Sequence, residues 1–278
     1  MIDRHRMIGY NRTVKLRWLD ETVDMVLAGM PDSDIYSSLK ERLEGELSIG
    51  SSAVRGSREK TITLLMKTWV RVPDDLRELR QDAFELMKGI RRQERLPLHW
   101  GMTMAVYPFW RVVAEVTGRL FRLQGSAAPR QVQRRVKELM GEREVVARSA
   151  RYVLRAFADW GVVADSERQG EYQCSPARLI TDPELAKWLY EAVVVSLPDG
   201  ASDFRSLVSS PGLFPFQLPA MSPAQLSGAN RVEVIRHSLE ESMVKLKPRV
   251  QVDATDGSRT TKGLGFKAAA GHGSPCQS

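Results

Sequence analysis

The chain has 278 residues, 42% hydrophobic and 27% charged, enough to bury a sizeable core, with a formal net charge of +7 and a pI near 9.5. That balance favours an anionic partner, nucleic acid first, and its two cysteines, Cys174 and Cys276, cannot build a disulfide framework. Both facts fit a cytoplasmic setting, and the polar, basic residues 1–15 contain no apolar signal core.

In chain order, Leu16, Leu19, Val23, Val26 and Leu27 make the first helical stripe, ended by Gly29 and Pro31. Asp32 or Ser33 is expected to cap a second helix that carries Ile35, Leu39 and Leu43; residues 48–56 read as a loop. Ile62, Leu65, Met66 and Trp69 predict a third helix from Ser57. Pro73 and Asp74 start a fourth, with Leu76, Leu79, Phe84 and Met87. Residues 1–95 are therefore expected to form an all-helical bundle domain. Residues 96–107 are its connector to the next domain, since the apolar window 96–110 is too short to span a bilayer and holds His99 and Pro108.

Residues 108–176 carry the most specific pattern. After Pro108 the stripe Val112, Val113, Val116, Leu120 and Leu123 predicts a helix ended by Gly125, and residues 126–128 form a break. Pro129 opens a short helix with Val132, Val136, Leu139 and Met140, which Gly141 ends. A third helix, from about Glu142 to Trp160, buries Val146, Ala150, Val153, Leu154 and Phe157. Gly161 closes it. Val162 and Val163 then enter a hairpin that turns near Arg168, Gln169 and Gly170 and returns through Tyr172 and Cys174.

At 100° per residue, Arg148, Arg151 and Arg155 share the face of the third helix opposite its apolar stripe. Arg143, with Arg130, Arg134 and Lys137 on the helix before it and Arg168 at the hairpin tip, extends this charge. A solvated surface is the plain alternative, because Glu138, Asp159, Asp165 and Glu167 lie nearby. A second basic group, Arg55, Arg58, Lys60 and Lys67, falls in or beside the helix that starts at Ser57. There the loop Arg55-Gly56-Ser57-Arg58 offers donors to a phosphate or simply caps the helix. Asn11, Arg12, Lys15 and Arg17 form either an arm against nucleic acid or a solvated terminus.

The hydrophobic run ending Ala158-Asp159-Trp160-Gly161-Val162-Val163, followed by a polar hairpin with Gly170 and Tyr172, resembles the winged helix-turn-helix superfamily. The resemblance implies that the third helix enters the DNA major groove and the hairpin is the wing, although winged helices that bind only protein exist. The layout as a whole, with Trp18-Leu19-Asp20-Glu21, Val26-Leu27-Ala28-Gly29 and a basic helix over 55–69 ahead of the winged segment, resembles the BrxA family of accessory proteins in bacterial phage-defence (BREX) islands. That resemblance implies DNA binding within an antiviral system.

Beyond the wing, Asp182 and Pro183 open a helix with Leu185, Trp188, Leu189, Ala192 and Val193, and Phe204, Leu207 and Val208 predict a short one. Leu213-Phe214-Pro215-Phe216 reads as core packing. The stripe Val232, Ile235, Leu239, Met243 and Leu246 carries the folded part to about Lys247, so 177–247 is expected to be a C-terminal helical extension and 248–278 a disordered tail.

The expected fold is thus mainly α, a helical bundle followed by a winged helix and C-terminal helices. His5, His99, His237 and His272 are scattered without metal-ligand partners, and no phosphate-cradling glycine loop or nucleophile elbow occurs. No metal, cofactor or membrane is expected. A non-enzymatic protein that binds double-stranded DNA is the leading reading, an adaptor that docks other proteins of a multi-component assembly the alternative, and a nucleic-acid enzyme with a dispersed site the third.

Overall fold

The computed structural model describes residues 4–47, 56–236, 238 and 241–248. It is mainly helical with small sheets, and Met1–Lys247 pack as one compact unit. The tail expected over 248–278 lies, except for Pro248, outside the described residues, as does Arg55.

The N-terminal helices follow the apolar stripes. They are α1 (Leu16–Leu27), α2 (Asp32–Arg42), α3 (Ser57–Leu65) and α4 (Arg77–Met87), the last entered through a 3₁₀ turn at Asp74–Leu76. The cap expected from Asp32 or Ser33 is not formed: Pro31 holds the capping position and no side chain bonds there. Helix α3 widens into a π turn over Met66–Val70 that carries the fully buried Trp69.

Residues 96–107 are not a connector but the centre of the molecule. Helix α5 (Leu96–Val106) has every residue buried, so it has no polar face and no amphipathic period. A helix apolar all round can be satisfied only by neighbours on every side. Here these are the π turn, α4, α6 (Pro108–Gln124) and, further along the chain, α9 (Pro183–Ser196). The expected boundary between residues 1–95 and 108–176 is therefore filled by shared core. Close approach is built in at Gly118 of α6, where an added Cβ would collide with the Pro211 carbonyl oxygen.

From Pro108 the chain runs α6, β1 (Ser126–Ala127), α7 (Pro129–Met140), α8 (Glu144–Asp159), β2 (Val163–Asp165) and β3 (Tyr172–Cys174). The expected break at 126–128 contains strand β1, which pairs antiparallel with β3, and β3 in turn pairs with β2, giving sheet order β1-β3-β2. Helix α8 ends in a Schellman arrangement: the Gly161 N–H donates to Ala158 O (3.1 Å) and the Val162 N–H to Phe157 O (3.0 Å). This reversal requires the left-handed φ of +67° at Gly161 and sends Val162 directly into β2.

The segment after β3 is only partly helical. It holds β4 (Arg178–Leu179), α9, β5 (Ala201–Asp203), α10 (Phe204–Val208), β6 (Phe216–Gln217), the single turn α11 (Pro223–Leu226), and β7 (Val232–Arg236) with β8 (Ser242–Leu246). The last two form an antiparallel hairpin in a sheet of order β5-β8-β7, correcting the helical extension expected over 177–247. Val232 to Arg236 is rich in β-branched residues, and the inward alternation of Ser242 and Val244 is a two-residue period that the sparse helical stripe had masked. Helix α9 begins at Pro183 and Leu213 and Phe216 are buried core residues, both as the sequence predicts, and Asp182 caps α9 by accepting the Glu184 N–H (2.8 Å).

Two buried polar assemblies tie distant elements together. The Trp69 indole N–H donates to His99 Nδ1 (3.1 Å), and His99 Nε2 meets Asp20 Oδ1 (3.0 Å), joining the π turn, α5 and α1. Arg231, just before β7, bonds through its backbone N–H (2.8 Å) and guanidinium to Glu191 of α9 and reaches Asp82 of α4.

Candidate nucleic-acid interface

Helix α8 stands on an aromatic cluster. Its Phe157 lies 4.9 Å, between ring centroids, from both Trp100 and Trp110, and Trp160 at its end lies 4.6 Å from Trp110. Val146, Ala150, Val153 and Leu154 complete the buried face. Large rings fixed on several sides leave the helix little freedom to roll, so its outward side chains start from a rigid base.

The N-terminal residues run beside one flank of α8. The Trp160 indole donates to Val14 O (2.9 Å), and the guanidinium of Arg12 sits over the Tyr152 ring at 5.6 Å. Asp159 Oδ2 accepts the Leu16 N–H (2.9 Å), so a residue of α8 supplies the cap that Lys15 lacks at the start of α1. These residues reach α8 from the other end of the sequence.

The outward face of α8, which adjoins Tyr152, is open to solvent. Arg148, Arg151 and Arg155 are exposed and, among the described residues, make no ion pair. Arg130, at the start of α7, and Arg168, in the turn between β2 and β3, are likewise exposed and without an ion pair. Arg143 is exposed and donates to Met140 O (3.3 Å) at the carboxyl end of α7. Two of the expected cations are neutralised locally: Arg134 faces Glu138 (3.8 Å) and Lys137 faces Glu142 (2.5 Å). Arg134, Arg135 and Lys137 of α7 are thus each paired with a nearby glutamate, whereas Arg130 and the three arginines of α8 are not.

The second basic group is not one patch. Arg58 is buried, its guanidinium 3.2 Å from Glu44 and 3.4 Å from Lys40 O, because an arginine at the start of α3 is turned inward against α2. Lys67 lies over the Tyr107 ring at 5.6 Å. Lys60 alone is turned toward α8, on a cavity that it shares with Arg12 and Arg148. The arm residues also part company: Lys15 and Arg17 both pair with Glu46, and Arg12 does not.

Among the described residues no three His, Cys, Asp or Glu side chains are grouped to hold a metal ion, and no helix is long and apolar enough to cross a membrane. His99, buried at the core, is held neutral: burial pushes its pKa below the ordinary 6.5 against the opposing pull of Asp20. Sequence reasoning missed the His99 chain and the Arg231 clasp, since each joins residues tens of positions apart. Comparison with protein-family models, curated proteins and solved structures finds no match.

Proposed function

We propose that residues 108–176 are a winged helix-turn-helix that binds double-stranded DNA, with α8 as the recognition helix and the β2–β3 hairpin as the wing. One observation carries the reading: three exposed guanidiniums on one face of a rigidly seated helix have no carboxylate partner among the described residues, while Arg134, Arg135 and Lys137 of the neighbouring α7 do. The element order and the β1-β3-β2 sheet support the same assignment. No catalytic group is needed for it.

Each phosphate contact lowers the slope of log affinity against log salt by about 0.9, so between 50 and 200 mM salt each contact costs about 3.5-fold in affinity. Three contacts together amount to about 40-fold. Fluorescence anisotropy of a duplex over this salt range, with the Arg148→Gln, Arg151→Gln, Arg155→Gln triple variant beside the parent, reads that number. A parent that does not bind duplex at low salt, or a variant with an unchanged slope, refutes the proposal.

A second reading, a protein-docking adaptor, is favoured by the exposed Leu123 (82%) of α6 and Leu139 (62%) of α7. Copurification of a partner after nuclease treatment, lost in Leu139→Glu and kept in the arginine variant, would replace the first reading. On layout alone, the DNA-binding reading extends to an accessory role in antiviral defence in the cytoplasm. Deleting the gene would then raise phage plating on the host, and unchanged plating would remove that extension.

A further inference from the structure

Between the N-terminal arm, α3 and α8 lies a cavity of about 270 Å³ lined by Asn11, Arg12, Lys60, Arg148, Ser149 and Tyr152. Three cations border it and no carboxylate does. Like charges gathered round one concavity repel one another, and the fold has to hold them there. Arg12 is held by three contacts: its Nε donates to Ser57 Oγ (3.2 Å), its Nη1 to Asn11 O (2.6 Å), and its plane lies over Tyr152. None of these contacts neutralises the charge. Lys60 and Arg148 make no ion pair among the described residues.

We infer that this cavity is a phosphate-binding site, in which Arg12, Lys60 and Arg148 converge on one phosphoryl group of a nucleic-acid backbone. The chemistry fits. A guanidinium presents two parallel N–H donors to a phosphate, an ammonium adds a point charge, and the amide of Asn11 supplies a neutral donor. Arg148 belongs at once to the cavity and to the open face of α8, so a backbone lying along that face passes the mouth of the cavity. The same arrangement explains why the arm is fastened to α8 by Trp160 and Asp159: without that fastening Arg12 would not reach the site. The inference rests on the DNA-binding reading for the source of the phosphate, but not for the site itself.

The test uses the full chain, with Lys60→Gln as the main variant, because the Lys60 side chain makes no ion pair that the fold would lose. Arg12→Lys, which keeps the charge and loses the fork, is the second variant. The probes are inorganic phosphate, read as the melting temperature against chloride at equal ionic strength, and duplex DNA, read as the salt slope of its affinity. General salt exclusion stabilises parent and variant alike, so only their difference counts. Phosphate is expected to raise the melting temperature of the parent by about 3 °C more than that of Lys60→Gln. The DNA salt slope of Lys60→Gln is expected to fall by about 0.9. A phosphate response lost in the variant with an unchanged DNA slope would overturn the backbone as occupant and assign a free phosphate compound. Equal phosphate responses and equal slopes would overturn the site. A parent that binds no DNA refutes the recognition-helix reading, while the phosphate response still decides the cavity.

Discussion

Lowering the pH should weaken the core at His99, and the structure gives the direction of the effect and its upper limit. An indole N–H can only donate, so the Trp69 bond at 3.1 Å requires a lone pair on His99 Nδ1 and places the imidazole proton on Nε2, toward Asp20. A second proton on the ring would turn Nδ1 into a donor facing a donor, in a side chain with no exposure to water. Burial accordingly depresses the folded-state pKa below 6.5, the ordinary value that the unfolded chain keeps. The unfolded state therefore binds the extra proton first as pH falls. Stability from this residue is complete above about pH 6.5, declines below it, and stops declining once the folded-state pKa is passed. The loss by pH 5.5 is at most about 1.4 kcal/mol, one tenfold step in the protonation equilibrium, the limit reached when the folded imidazole takes up no proton. Carboxylates also titrate in acid, so the informative quantity is the stability difference between the parent and His99→Gln, measured by urea unfolding on tryptophan fluorescence at pH 7.5, 6.5 and 5.5. That difference should shrink across the series, by up to about 1.4 kcal/mol. A difference independent of pH would show that His99 does not carry the linkage.

Two further outcomes follow from the contacts that join distant parts of the chain. Arg231→Met leaves Glu191, 3% exposed, as an unpaired buried carboxylate and should cost about 3–5 kcal/mol, with part of the loss recovered by adding Glu191→Gln; a cost below about 1 kcal/mol for the single variant would contradict the clasp. Asp159→Ala removes the acceptor for the Leu16 N–H and should lower stability by about 1 kcal/mol, or about 2–4 °C in melting temperature, and an unchanged melting curve would mean that α1 does not depend on this cap.

Local signals wrote much of the secondary structure into the sequence. The stripes of α1, α7 and α8 are strongly amphipathic, and a helix with one apolar face announces both its period and its orientation. Gly161 and Gly170 marked the end of α8 and the hairpin turn because a left-handed backbone conformation is a property of single residues. The outward placement of Arg148, Arg151 and Arg155 followed from the same 100° arithmetic.

Where the pattern was uniform or thin, the sequence was silent. Helix α5 is apolar on every side, so nothing in its period tells a connector from a core; only the elements packed around it decide that. Residues 232–246 mix a weak helical stripe with a weak alternation, and pairing of β8 with both β7 and β5 settles Val232–Arg236 and Ser242–Leu246 as strands. Arg58 and Lys60 stand two positions apart on one helix, yet one is folded against Glu44 and the other faces α8, a difference set by which neighbours arrive. The amino-acid sequence by itself determined α1, α7 and α8, the turns at Gly161 and Gly170 and the cationic face of α8, since these depend on residues within a few positions of one another. Tertiary structure alone brought Arg12, Lys60 and Arg148 round one cavity and set Trp69, His99 and Asp20 in line, because such arrangements depend on packing between segments that the chain keeps far apart.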